Sequence, residues 1–188
     1  MNKYKTPDGK HLDLAKDAFA DLSGVNELIS GEPILGESGP AASVQVSPAM
    51  LNAHANGQGS QFDGKVKEAL ANNPQLRRIY RKFLDQGSAY YVPEAMAASS
   101  EAFLERSGKG CRIRMEQSRA QSEQVYVIVE LEEAQGGAPS ALVICDTDLF
   151  CTTFELPAFR GGIAQLIAER ESKLVQLLNN PKTEAFLR

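Results

Sequence analysis

The spacing of apolar residues changes along the chain, from the period of a helix in the middle to that of a strand further on. Residues 65–71 and 74–84 have the helical spacing, and the apolar residues of the second segment share one face: Leu76, Ile79, Tyr80, Phe83 and Leu84. An asparagine at 72 or 73 can cap the second helix, and a proline suits its first position. These two segments are therefore predicted as helices with a stripe that faces the core.

The alternation of a strand begins at Cys111. Residues 111–116 and 124–131 each alternate along their length, which predicts two half-buried strands. Residues 141–145 and 149–156 predict either one bent strand or a hairpin that turns at 146–148. Because the connections between these segments are short, we expect antiparallel pairing.

Three other segments are predicted as helices, over 11–22, 93–107 and 162–178. The apolar residues of the last one share a face: Ile163, Leu166, Ile167, Leu174, Leu177 and Leu178. The preceding residues Arg160, Gly161 and Gly162 suit a tight turn from strand to helix. A helix of this length can cover the apolar face of a sheet.

The predicted fold class is α+β, with a helical N-terminal half, a loosely structured arm, and then a three- or four-stranded antiparallel sheet covered by a long C-terminal helix. The expected domains are 1–61, an N-terminal helix and a Gly/Pro/Ser/Asn-rich arm, and 62–188, an α+β globular domain. If contacts hold the arm, its few apolar residues are the expected anchors: Ile34, Leu35, Val44, Val46, Met50, Leu51 and Phe62. The strand-like segment 43–46 could pair with an exposed sheet edge.

Composition and charge are those of a globular protein. The 188 residues are 43% apolar and 23% charged, which suits one domain with an attached arm. A net charge of -4 is too mild to attract phosphate backbones or anionic lipid through a global field. No apolar stretch reaches the length of a membrane span and no signal-peptide pattern is found, so we expect a cytoplasmic protein with no membrane partner.

One local concentration of positive charge qualifies this picture. Residues 62–110 carry eight Lys and Arg against six Asp and Glu, whereas the segments on either side are net negative. Four of these cations cover the helix face opposite the apolar stripe: Arg77, Arg78, Arg81 and Lys82. This face is either an ordinary solvated surface or a contact for nucleic acid or an acidic protein partner.

The three cysteines, Cys111, Cys145 and Cys151, lie in or near predicted strands. Their odd number favours reduced thiols over a disulfide framework, and we expect them to be buried as small apolar side chains. If residues 141–156 form a hairpin, Cys145 and Cys151 lie near its turn and can approach each other. These two residues are therefore the candidates for a redox-sensitive pair.

No catalytic or metal-binding pattern in the sequence is complete. His11 and His54 lie 43 positions apart, and neither a Cys-x-x-Cys nor a nucleophile-elbow pattern occurs, so no catalytic residue, metal or cofactor is predicted. The leading hypothesis is a non-enzymatic interaction or regulatory protein that binds a protein partner or a second copy of itself. The alternative is a nucleic-acid-binding protein that uses the basic helix 74–85, and the third is a small redox-sensing or enzymatic domain.

Overall fold

The computed structural model describes residues 45–93, 103–132 and 137–188. Its helices are α1 (Pro48–Ala55), α2 (Asp63–Asn72), α3 (Pro74–Gly87) and α4 (Lys173–Leu178), with a 3-10 turn at Ser60–Phe62. Its strands are β1 (Tyr90–Val92), β2 (Arg106–Gly108), β3 (Cys111–Gln117), β4 (Gln124–Leu131), β5 (Ala141–Cys145), β6 (Cys151–Glu155), β7 (Ile163–Glu169) and β8 (Glu184–Leu187). The helix predicted over 11–22 lies outside the described residues.

The strands form two four-stranded sheets. Sheet A has the order β1-β8-β5-β6, and sheet B has the order β2-β3-β4-β7. Every neighbouring pair is antiparallel. The described residues are therefore α+β with antiparallel sheets. Strands β3 and β4 lie where the alternation predicts them. Residues 141–156 form the hairpin β5–β6 rather than one bent strand.

Sheet A is buried on both faces, and this determines the order of the layers. Leu142, Ile144 and Leu187 face one core cluster, which they share with apolar residues of β3 and β4. Val143 and Phe186 point the other way, into a second cluster with residues of the first three helices: Leu51, Ala55, Val66, Ala69, Tyr80 and Leu84. Helices α1 to α3, sheet A and sheet B therefore stack as three layers.

Helices α2 and α3 form where the sequence predicts them. The Oδ1 atom of Asn73 accepts hydrogen bonds from the N–H groups of Gln75 (2.9 Å) and Leu76 (3.3 Å), so Asn73 caps α3. Pro74 is the first residue of the helix. The predicted apolar stripe lies in or against the second core cluster. The cap and the stripe together fix which face of α3 meets sheet A.

The predicted long helix over 162–178 is wrong. Residues Ile163–Glu169 form β7, an edge strand of sheet B, and only the six residues Lys173–Leu178 are helical. Such a short helix does not cover a sheet. The inner face of sheet B instead packs mainly on sheet A, so two sheets replace the single covered sheet that the sequence predicts.

The residues on the two faces of β7 explain this error. Ala164, Leu166 and Ala168 point inward, whereas Ile163 and Ile167 point outward and are 45% and 58% exposed. Because both faces carry apolar residues, the alternation that identifies a half-buried strand is hidden. The stripe of a helix and the two faces of this strand therefore look alike in the sequence.

A two-residue turn leads into β7. Gly161 and Gly162 have φ angles of 57° and 79°, the left-handed region that a tight hairpin turn requires and that glycine adopts without a steric penalty. Arg160 and Ile163 exchange backbone hydrogen bonds across the turn, with N-to-O distances of 2.8 and 3.1 Å. The predicted turn from strand to helix is therefore a turn into a strand.

Strand β2 begins within the segment 93–107 that is predicted as a helix. Residues 94–102 lie outside the described residues, and the helix prediction is wrong for residues 103–107, which contain no helical turn. The first residue of β2, Arg106, is only 1% exposed. The guanidinium donates hydrogen bonds to the carbonyl oxygens of Leu178 (2.8 Å), Asn180 and Thr183 (2.7 Å). These carbonyls lie at the end of α4 and in the turn that follows, so Arg106 supplies the donors that the end of a helix needs.

Helix α1 falls within the segment predicted as an arm. Its N-cap is Ser47, whose Oγ atom accepts a hydrogen bond from the N–H of Met50 at 3.3 Å. Val46 is buried, so this residue packs against the helices instead of extending a sheet. Of the expected anchors, four pack in or against the second cluster: Val46, Met50, Leu51 and Phe62. Three lie outside the described residues: Ile34, Leu35 and Val44.

Candidate functional sites

The structure separates the four cations of α3 into two pairs. Arg77 is buried and Arg81 is half-buried, because both point toward sheet A and the loop that joins β5 to β6. Arg78 and Lys82 are exposed, and neither forms an ion pair with another described residue. The basic face predicted from the sequence is therefore only half available to a partner.

Arg77 holds α2, α3 and the β5–β6 loop together. Its Nη1 atom donates hydrogen bonds to the carbonyl oxygens of Leu70 (2.9 Å) and Ala71 (3.3 Å) near the end of α2. Its Nε atom donates to the carbonyl oxygen of Asp148 at 2.8 Å. The guanidinium carbon lies 4.0 Å from the centre of the Phe150 ring, within the range of a cation–π contact.

Arg81 forms a bidentate ion pair with Glu184 on β8. The Nε and Nη2 atoms donate to the two carboxylate oxygens at 2.8 and 2.9 Å, and the Tyr91 hydroxyl donates to Oε1 at 2.7 Å. The hydrogen bond from Arg81 lowers the pKa of Glu184, while burial raises the pKa of Tyr91 to about 12. This network ties α3 to β8 and β1, and it uses the second inward cation of the helix.

Cys145 and Cys151 form a disulfide between β5 and β6. They are direct partners in the strand register, with Cα atoms 4.0 Å apart. Cys145 is fully buried in the second cluster, whereas Cys151 is half-buried on the edge strand β6. This pairing differs from the reduced thiols that the cysteine count favours. Cys111 is free, and burial raises the pKa of its thiol to about 11.

His54 lies in a chain of hydrogen bonds between helices. Its Nδ1 is 2.9 Å from the Tyr80 hydroxyl, its Nε2 is 2.8 Å from Asp63 Oδ1, and Lys67 donates to the other Asp63 oxygen at 2.6 Å. Burial raises the pKa of Tyr80 to about 12. Tyr80 is only 2% exposed, so its hydroxyl is not open to a ligand. This series of hydrogen bonds therefore connects α1, α2 and α3. Within the described ranges, no three potential ligand side chains come together as a metal site.

Strand β7 presents backbone groups to the outer edge of sheet B. The N–H of Arg170 donates to the carbonyl oxygen of Glu123 at 2.8 Å, which makes these two residues a hydrogen-bonded pair of the β4–β7 ladder. Bonded pairs alternate along an antiparallel ladder, so even-numbered residues of β7 face β4 and odd-numbered residues face outward. Gln165 and Ile167 therefore direct their N–H and C=O groups away from β4, where the described residues provide no further strand.

The surface beside this edge is partly apolar. Ile163 and Ile167 are two of the three large apolar side chains that are exposed among the described residues, and Phe150 is the third. A shallow depression next to the strand is lined by five residues: Pro157, Ala158, Arg160, Ile163 and Gln165. Arg160 is exposed and has no ion-pair partner in the described part of the chain. An apolar wall and one cation therefore adjoin the open backbone.

The sequence pattern does not reveal this edge, because the spacing of its apolar residues predicts a helix there. The signal that could have found it is Gly161-Gly162, since two glycines between apolar segments are typical of a hairpin turn. The candidates that the sequence does single out are brought together in part. Arg77 contacts the loop that the two cysteines close, while Arg78 and Lys82 stay apart from it.

Comparison with known proteins gives no match. No protein-family model, no curated protein and no solved structure matches the chain. In the described residues no helix is both long enough and apolar enough to span a bilayer.

Proposed function

We propose that this chain is a non-enzymatic interaction protein, and that it binds an extended segment of a protein partner along β7. The observation that carries the proposal is the coincidence of outward backbone groups and exposed isoleucines on one edge strand. Gln165 and Ile167 offer donors and acceptors, and Ile163 and Ile167 supply apolar surface. An added strand gains affinity from backbone hydrogen bonds and selectivity from its alternate side chains.

The depression beside β7 indicates the chemistry of the partner. Its walls include Pro157, Ala158 and Ile163, so one apolar side chain of the added strand fits there. Arg160 lies at the same depression and forms no ion pair with another described residue, and this favours an acidic residue next to the apolar one. The expected partner segment is therefore extended, with an apolar and an acidic residue close together.

The alternative of nucleic-acid binding depends on fewer groups than the sequence suggests. Arg77 is held by carbonyl oxygens and Arg81 by Glu184, which leaves Arg78 and Lys82 as the exposed cations of α3. Two cations release few counterions from a phosphate backbone. The hypothesis of nucleic-acid binding therefore depends on Arg78 and Lys82 alone. The variant Arg78→Glu/Lys82→Glu tests it.

Selection from a library of random displayed peptides on the immobilised full-length protein tests the proposed function. We expect the selected peptides to share an apolar residue beside an acidic one, and we expect Gln165→Pro to lose them. Proline removes the outward N–H at 165, and an edge strand tolerates a proline whose missing N–H faces away from its neighbour. The Arg160→Glu variant should bind acidic peptides more weakly than the wild type does. The Arg78→Glu/Lys82→Glu variant should bind the selected peptides as the wild type does.

One outcome would contradict the proposal, and another would identify the partner. If the selected peptides bind the Gln165→Pro and Ile167→Lys variants with the same affinity as the wild type, the binding surface lies elsewhere. Ile167→Lys serves as the second variant because its side chain is 58% exposed, so the substitution leaves the core intact if proline at 165 unfolds the strand. Selected peptides that resemble a segment of this chain would identify a second copy as the occupant of β7.

A further inference from the structure

The loop between β5 and β6, residues 146–150, is fixed from inside and outside. Inside the loop, Asp146 Oδ1 accepts hydrogen bonds from the N–H groups of Asp148 (3.0 Å) and Phe150 (2.9 Å). Outside it, Arg77 binds the carbonyl oxygen of Asp148 and lies over the Phe150 ring. The disulfide closes the base of the loop. The position of Phe150, an exposed aromatic residue, therefore depends on three separate restraints.

One residue of the loop has an unfavourable backbone conformation. Leu149 has a φ of 61° and is the only non-glycine residue with a positive φ among those described. This left-handed region places Cβ too near the following carbonyl oxygen in an L-residue. Such a conformation persists only where the surroundings enforce it. The N–H of Leu149 donates to the carbonyl oxygen of Asp146 at 2.9 Å, and the disulfide joins the ends of this five-residue loop, so the turn and the disulfide enforce the conformation together.

The two cysteine residues differ in exposure, although both pack in or against the second cluster. Cys145 is fully buried between sheet A and the helices, so an external thiol has no approach to it. Cys151 is half-buried on β6, the edge strand of sheet A, and it follows the exposed Phe150. A thiolate from solution would therefore attack the sulfur of Cys151, with Cys145 as the leaving group.

We propose that the Cys145–Cys151 disulfide is a thiol–disulfide exchange site for a small thiol reductant, and that its reduction releases the loop from Arg77. A thiolate of the reductant bonds to Cys151 Sγ, the bond between the two cysteine sulfurs breaks, and Cys145 takes the electron pair and then a proton from water. A second reductant thiolate bonds to the first reductant sulfur, and Cys151 leaves and is protonated. Two cysteine thiols form as two reductant thiols become one disulfide.

Reduction is expected to change the conformation of the loop, because Leu149 has a positive φ in the oxidised form. Without the covalent closure, residues 146–150 can leave the conformation that forces Leu149 to a positive φ, and relief of this unfavourable conformation favours the reduced state. Phe150 then moves away from Arg77, so the surface that α3 and the loop form together depends on redox state. This site lies on sheet A and is independent of the proposed binding along β7 on sheet B.

Equilibration of the native full-length protein with a dithiol redox buffer tests the proposal, with two readouts. Thiol-specific alkylation and mass spectrometry count the reduced cysteines, and amide hydrogen exchange follows residues 147–150. We expect reduction of Cys145 and Cys151 in the folded protein, with faster exchange in this loop and unchanged exchange in β7. The double variant Cys145→Ala/Cys151→Ala should show the same fast exchange without any reductant.

Two single variants separate this mechanism from a passive structural disulfide. Leu149→Gly removes the steric penalty of the oxidised form, so its equilibrium constant for reduction should be about threefold lower than that of the wild type. Thr147→Gly adds flexibility at a residue of the same loop whose φ is not positive, and it should favour reduction or leave it unchanged. Reduction that occurs only on global unfolding, or equal equilibrium constants for Leu149→Gly and the wild type, would overturn the proposal.

Discussion

The guanidinium of Arg77 lies over the ring of Phe150, 4.0 Å from the ring centre, although the two residues belong to a helix and to a strand connection far apart in the sequence. The same guanidinium binds three backbone carbonyl oxygens. Arg77, which the sequence pattern places on a basic surface, is therefore a structural contact between the helices and sheet A.

We expect Arg77→Met to lower the free energy of unfolding by about 2 kcal/mol, because it leaves carbonyl oxygens without donors and removes the cation–π contact. Denaturant unfolding of the full-length protein measures the change. The control is Arg78→Met on the next residue, which is exposed and should change stability by less than about 0.5 kcal/mol. Equal effects of the two variants would show that the buried contacts of Arg77 contribute nothing of their own.

The thiol content should follow the pairing of the cysteines. We expect a thiol reagent at neutral pH to label no cysteine quickly in the native oxidised protein, because Cys111 is buried and its pKa is raised to about 11. Unfolding without reductant should expose one reactive thiol, and unfolding with reductant should expose all three. Three thiols in the unfolded protein before reduction would show that the disulfide is absent.

Removal of the disulfide should destabilise the fold. Cys145 and Cys151 are six positions apart, and closure of a loop of this length corresponds to about 2 kcal/mol in the chain-entropy account. We expect Cys151→Ser to lower the unfolding free energy by roughly this amount under oxidising conditions, and by much less when both proteins are measured in reductant. A loss that is the same in both conditions would assign the effect to packing rather than to the covalent bond.

Stability should depend on pH through Glu184. The hydrogen bond from Arg81 lowers the pKa of Glu184 in the folded protein, so the ion pair stabilises the fold above the carboxyl pKa of the unfolded chain. This contribution is lost as pH falls through the lowered pKa. The difference in unfolding free energy between wild type and Glu184→Gln should therefore be largest near neutral pH and shrink below about pH 4.5. Glu155→Gln, at an exposed position, is the matched control.

Arg106 should be the most sensitive of the buried cations. Its guanidinium binds carbonyl oxygens at the end of α4 and the Thr183 hydroxyl, and almost none of it is exposed. We expect Arg106→Met and Arg106→Lys each to lower the free energy of unfolding by about 3 kcal/mol or more. Lysine is included because its single ammonium group cannot reach every oxygen that the guanidinium reaches. Denaturant unfolding gives the comparison. A lysine variant as stable as the wild type would show that the charge, and not the planar donor geometry, is what matters.

The parts of the fold that local spacing determines were predictable. Helix α3 has a cap at Asn73 and a stripe on one face, and β3 alternates along its length, so local patterns are sufficient there. Strand β7 was not, because Ala164 and Ala168 are small and inward while Ile167 is large and outward. Burial in β7 is decided by the neighbouring sheet and not by residue size.

The candidate sites show the same limit. The number and type of cations on α3 were visible in the sequence, but the carbonyl oxygen of Asp148 that binds Arg77 and the carboxylate of Glu184 that binds Arg81 come from distant segments. A hairpin over 141–156 was one of two alternatives, and only the hairpin brings Cys145 and Cys151 together. Long-range partners decide which polar groups stay free for function.

The position of β8 between β1 and β5 determines when this fold can form during synthesis. Sheet A has no hydrogen-bonded connection between β1 and β5 until residues 184–187 have left the ribosome. Phe186, fully buried against the helices, is added at the same late moment. The helices that precede β1 therefore lack the cover of Phe186 until β8 has been synthesised, and their exposed apolar faces are the kind of surface that chaperones bind.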